Sequence, residues 1–114
     1  MEGILKFKET DDTLHCSFAD RLDGFVCSAV EPELLCRTSE FKNERKKVRL
    51  VFDLEGVVFV SSAFLRLCLI HLKAFGKDCF FVTNVSEEMH KVFHISGFAD
   101  IMHVMRADRT PVLA

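Results

Sequence analysis

Between Val48 and Asn84 the chain spells out one unit: an apolar run, "VRLVFDL" (48–54), a segment of helical spacing from Ser62 to Phe75, and a second apolar run, "CFFVTN" (79–84). A strand, a helix and a strand in that order close as a crossover, with parallel strands and a right-handed connection. The apolar density of 48–54 is that of a strand covered on both faces. Gly76 suits the left-handed position that stops a helix. "GILKFKE" (3–9) and "LHCSFA" (14–19), joined through a turn at "TDDT", read instead as an antiparallel hairpin. Together they predict an α/β fold: a mixed sheet of four to five strands covered by three to four helices.

The remaining elements follow from caps and punctuation. A helix is expected over 29–42, "AVEPELLCRTSEFK", with Pro32 in its first turn and Glu31 and Glu33 at its positive end. "NERKK" (43–47) is a solvated turn. Ser86 caps a third helix whose first turn carries Glu87 and Glu88, and Gly97 ends it. "DIMHVM" (100–105) is a last strand and "RADRTPVLA" a loose tail. No repeat or linker interrupts the chain, so residues 1–114 are expected to form one domain.

Composition excludes several classes of function. Fifteen basic against seventeen acidic residues give a net charge of -2, which offers no footprint for direct nucleic-acid binding. No apolar run reaches the ~20 residues of a membrane span, and the charged start "MEGILKFKET" is neither signal nor anchor. The five cysteines, odd in number and without a C-x-x-C pair, read as reduced, buried thiols of a cytoplasmic protein. Twelve Phe with no Tyr or Trp supply core volume without a polar handle.

The chemistry concentrates where the central strand hands over to its helix, at Ser61 and Ser62. In open sheets of this kind function collects beyond the carboxyl ends of strands. A serine there is a plain N-cap, worth about 1 kcal/mol over alanine, or a phosphate acceptor beside the positive end of a helix. Both readings share the same spacing. Turning Ser62–Lys77 through about 100° per residue puts Phe64, Cys68 and Phe75 on a core face flanked by Leu65 and Leu72. Arg66, Lys73 and Lys77 lie opposite with Ser62, and Leu69 and Ile70 fall among them. Ser62, Arg66, Leu69, Ile70 and Lys73 thus form a candidate docking stripe, with Asp23 and Asn84 bordering the same rim or serving as turn formers.

With these residues in view, the sequence resembles the STAS domain family, of the anti-sigma factor antagonist type. The resemblance runs through "RLD" (21–23), "PEL" (32–34), "LVFDLEGVVFV" (50–60), the serine junction, and "FFVTNVSEEMHKVFHISGFADIMHV" (80–104). The family junction reads Asp-Ser-Ser-Gly, and its first serine is phosphorylated by a partner that is both kinase and anti-sigma factor. Laid over this chain, Ser61 stands at the aspartate, Ser62 at the phosphorylated serine, Ala63 at the second serine and Phe64 at the glycine. Only Ser62 carries over directly, with Ser61 the weaker acceptor. The resemblance implies a non-catalytic module of bacterial partner switching that binds an anti-sigma factor and serine kinase, frees a sigma factor, and lets go once phosphorylated. The oligomeric state stays open, a homodimer included. The rival readings are a constitutive assembly subunit whose serines only cap a helix, and a small-ligand module of the nucleotide or lipid-transport kind.

Other motifs carry less. His90 and His94 stand i,i+4 on the third helix, but no H-E-x-x-H or third ligand accompanies them, so no metal is expected and solvated surface is the reading. His71 reads as a half-buried packing residue, and His15 and His103 as lone strand histidines. There is no P-loop, no G-x-S-x-G elbow and no acid–base pair, so neither a catalytic residue nor a cofactor is expected.

Overall fold

A computed structural model describes residues 3–107 of the chain. In order they form β1 (Leu5–Glu9), β2 (Thr13–Leu22), α1 (Gly24–Asn43), β3 (Arg49–Val60), α2 (Ser62–Phe75), β4 (Phe80–Val85), α3 (Glu87–Ile95), α4 (Phe98–Ile101) and β5 (His103–Arg106). The five strands make one sheet whose spatial order is the chain order. β1 lies antiparallel to β2 in the expected hairpin, and β2, β3, β4 and β5 run parallel to one another. The mixed α/β sheet is therefore as the sequence implies.

Alternation along the strands shows where the helices sit. Leu14, Cys16 and Phe18 of β2, Leu50, Phe52 and Leu54 of β3, Phe80 and Val82 of β4 and Val104 of β5 are buried in one core with residues of α1, α2 and α3. Phe52 is its hub, with ring centroids 5.1 Å from Phe18, 5.0 Å from Phe80 and 5.1 Å from His71. The intervening residues His15, Ser17, Val51, Asp53, Phe81, Thr83, His103 and Met105 are only half-buried. The helices thus cover one face of the sheet, and the expectation that 48–54 is covered on both faces does not hold. Val51 and Asp53 border open surface, which a run of apolar letters does not disclose.

Three further boundaries move. α1 begins at Gly24 rather than 29, because Asp23 caps it by accepting from the Val26 N–H at 2.9 Å. Pro32 then falls mid-helix, where it costs a backbone bond, while Val26, Cys27, Val30 and Leu34 bury the face that offsets the loss. Residues 100 and 101 belong to α4, so the last strand starts at His103. Asn43 still belongs to α1, so the polar turn after it is shorter than 43–47. The expected loose tail lies, from residue 108 on, outside the described residues.

β3 outruns its neighbour β4. The pairing with β4 spans Leu50–Asp53, whereas pairing with β2 continues through Gly56↔Ala19 to Val60↔Leu22. The result is a two-stranded arm, stepped by irregularities between Ser17 and Ala19 and between Asp20 and Arg21. Gly56 packs closely in it: a Cβ there would stand in van der Waals contact, 3.4 Å from the Ala19 Cβ and 3.5 Å from the Phe18 carbonyl oxygen.

Candidate functional site

The arm delivers the chain to α2 at the two serines. Ser61 holds the N-cap position in extended conformation, yet its side chain makes no capping bond. Its hydroxyl donates instead to the Leu22 carbonyl at 2.7 Å, and its backbone N–H donates to the same oxygen at 3.1 Å. Ser61 is thus a clasp between the end of β2 and the start of α2. Ser62 is the first helical residue and is exposed. The cap expected of this pair is not made by either hydroxyl, because the strand-end carbonyl of Leu22 takes the one in the capping position. Asp23, one residue beyond Leu22, borders the site as the cap of α1.

The electrostatics around Ser62 follow from a few groups. The first turn of α2 contains no acidic residue, so no side chain of that turn neutralises its positive end. Arg66, one turn on, reaches across to α1 and pairs with Glu31 at 2.5 Å. Beneath the junction, burial pushes the Cys27 thiol up; the nearby Ser61 hydroxyl and Arg66 oppose this, and Asp23 and Glu31 add to it. Cys27 and its buried neighbour Cys68 are therefore protonated core residues. Cys16 is another, pushed up to about 12 by burial. Cys36 is exposed and Cys79 half-buried, so the expectation of five buried thiols holds for three.

The outer face of α2 keeps most of the expected stripe. Ser62, Arg66 and Lys73 are exposed, whereas Leu69 and Ile70 are half-buried and Ile70 leans on the core. Phe64, Leu65, Leu67, Cys68 and His71 are buried below. Phe64 points inward as the helical rotation implies, and Phe75 is only half-buried. His71 is not half-buried but 1% exposed: its Nδ1–H donates to the Leu67 carbonyl at 2.7 Å and its Nε2 accepts from the Thr38 hydroxyl of α1 at 3.1 Å. Burial pushes its pKa down, against the Leu67 bond and Glu31, which raise it.

Three exposed apolar residues near the serine junction have no counterpart in the sequence reading. Phe25 of α1 is 76% exposed and Val58 of β3 65%, and Phe59 next to it lies under the Arg21 guanidinium, 4.3 Å from the ring centre. All stand at the carboxyl end of the β2–β3 arm. The available signal was "GVVFV" (56–60): two adjacent apolar residues in a strand, Val58 and Phe59, cannot both face one core.

Asn84 stands at the carboxyl end of β4. In a left-handed conformation (φ 57°), it donates from Nδ2 to Asp53 Oδ1 at 2.7 Å on the open face of the sheet. The Glu55 N–H donates to the same oxygen at 3.0 Å, and His15 Nε2 lies 3.0 Å from Asp53 Oδ2. Burial raises the Asp53 pKa, but these bonds and the interaction with His15 outweigh it, leaving the carboxyl below its ordinary value. His15, Asp53 and Asn84 therefore form a second polar cluster. Period-two alternation in "LHCSF" and "VFD" would have placed His15 and Asp53 on one face.

No protein-family model matches the chain, and no curated protein does. Solved structures do. The anti-sigma factor antagonist SpoIIAA in its unphosphorylated form is similar over 91% of this chain and 90% of that one, at 17% identity and a TM-score of 0.69. The Bacillus cell fate determinant SpoIIAA in the phosphorylated form is similar over 91% and 93%, at 19% identity and a TM-score of 0.62. The chain has the STAS fold of these proteins.

Proposed function

We propose that the chain is an anti-sigma factor antagonist acting in the cytoplasm, a binding module without a reaction of its own. Unmodified Ser62 and the surface around it dock on an anti-sigma factor with serine kinase activity, and phosphorylation of Ser62 ends the contact. The carrying observation is the exposure of Ser62 at the start of α2, where β3 ends. The shared fold with SpoIIAA, known phosphorylated and unphosphorylated, supports it.

The physical switch is local. A phosphate adds about -1.5 to -2 charges and three acceptor oxygens. At the first turn of α2 it meets a positive helix end, so the folded domain tolerates it. A partner that packs against the start of α2 must also desolvate that dianion, which is costly. Ser61 supplies no fixed negative charge beside the acceptor, so recognition of Ser62 by a kinase rests on the exposed helix start and the exposed apolar residues near it.

The test is incubation with an ATP-binding anti-sigma kinase of the same organism, read by mass spectrometry and pull-down. The expected result is one phosphate on Ser62, release of the partner by Ser62→Asp, and weakened capture by Phe25→Ala with the fold unchanged. Binding that survives Ser62→Asp with Ser62 unmodified would sink the switch in favour of constitutive assembly. A thermal shift with nucleotide or lipid instead would favour the ligand module.

A further inference from the structure

Arg66 stands one turn beyond Ser62 on the exposed side of α2, in the i,i+4 relation that places Cβ atoms about 5–6 Å apart. In the unmodified chain its guanidinium is engaged elsewhere: Nη2 donates to Glu31 Oε1 of α1 at 2.5 Å. The two side chains are 58% and 23% exposed, so the pair is a surface tie between α1 and α2. The Cys27 thiol feels the Ser61 hydroxyl together with the charges of Arg66, Glu31 and Asp23. These groups therefore gather at the serine junction. Lys73, the other cation of α2 besides its histidine, lies about two turns further on, which leaves Arg66 as the one a group on Ser62 would meet.

A surface ion pair is held weakly, because solvent screens it and two long side chains must be kept still. A phosphate on Ser62 competes for the same guanidinium with about 1.5 to 2 times the charge of Glu31 and three acceptor oxygens. Guanidinium and phosphate also match as a bidentate fork, a charge-assisted geometry stronger than a neutral hydrogen bond. The first turn of α2 holds no acid to repel the newcomer. Exchange of Glu31 for the phosphate is thus favoured on charge and on geometry.

We propose that Arg66 is the phosphate-holding residue of the switch: phosphorylation of Ser62 draws its guanidinium from Glu31 onto the phosphate, and a tie between α1 and α2 is exchanged for a contact within α2. This role rests on the reading of Ser62 as the acceptor. It extends the switch from one residue to two helices, since Glu31 stays behind on α1 without the cation that neutralised it. A partner fitted to the unmodified surface then meets an altered charge pattern on both helices. A phosphate held by the helix start alone would leave Arg66 and Glu31 paired.

Phosphoserine encoded directly at position 62 of the full chain tests this without a kinase, so a failure here is distinct from a failure of Ser62 to be phosphorylated by its partner. The ³¹P signal followed against pH gives the second pKa of the phosphate, ordinarily about 6. Arg66→Gln should raise it by about half a pH unit, the scale of an exposed ion pair, and Arg66→Lys should raise it less. Glu31→Gln removes the competitor and should lower it, but hardly at all in the Arg66→Gln background. The amide spectrum of each variant reports its fold in the same experiment. An unchanged phosphate pKa in well-folded Arg66→Gln, or an equal effect of Glu31→Gln with and without Arg66, would each overturn the proposal.

Discussion

Ser61 and Ser62 carry the same hydroxyl one residue apart, and their surroundings divide the labour. Ser61 spends its hydroxyl on the Leu22 carbonyl, part-buried, while Ser62 is exposed. Ser61→Ala should therefore lower stability by about 1 kcal/mol, the net worth of one hydrogen bond, and Ser62→Ala should stay within about 0.5 kcal/mol. Urea denaturation of the two variants checks both. An equal loss in both would mean that Ser62 holds the helix after all. The accessibility of Ser62 was legible in the sequence because the apolar residues of α2 fix which side turns inward. The clasp was not, since its acceptor is the backbone of Leu22, far away in the chain and without a side-chain signature.

The pairing of α1 with α2 runs through a buried histidine. His71 is held neutral between the Leu67 carbonyl and the Thr38 hydroxyl, its pKa pushed down from 6.5 by burial. In the unfolded chain it takes up a proton at its ordinary value, and in the folded one only at lower pH. Stability is thus full above pH 6.5 and declines as pH falls through that value toward the folded pKa. Urea midpoints at pH 7.5 and pH 5.5 should differ more for the native chain than for His71→Gln, which cannot titrate. An identical pH dependence in both would remove His71 as the cause. At this scale helical spacing found the elements, but the placement of His71 depended on α1, whose start is set by Asp23 rather than by Pro32.

Across the whole molecule the asymmetry of the sheet decides what a substitution costs. Phe52 faces the helices and touches four aromatic rings, so Phe52→Ala should cost about 3–5 kcal/mol. Its neighbour Val51 borders the open face, and Val51→Thr should cost less than about 1 kcal/mol. Denaturant midpoints of the two variants measure the contrast, and comparable losses would show that something covers the second face. The α/β class and the parallel crossover were readable because strand and helix periods differ. One-sided covering was not, because the half-buried positions of β3 and β4 are filled by Val51, Phe81 and Thr83, residues that suit either environment. The strand order has a further consequence for biosynthesis. Each strand leaving the ribosome finds its neighbour already synthesised, and none must later be wedged between two others. The sheet can grow like a fence, panel by panel from the amino terminus, with β5 the last board to be set.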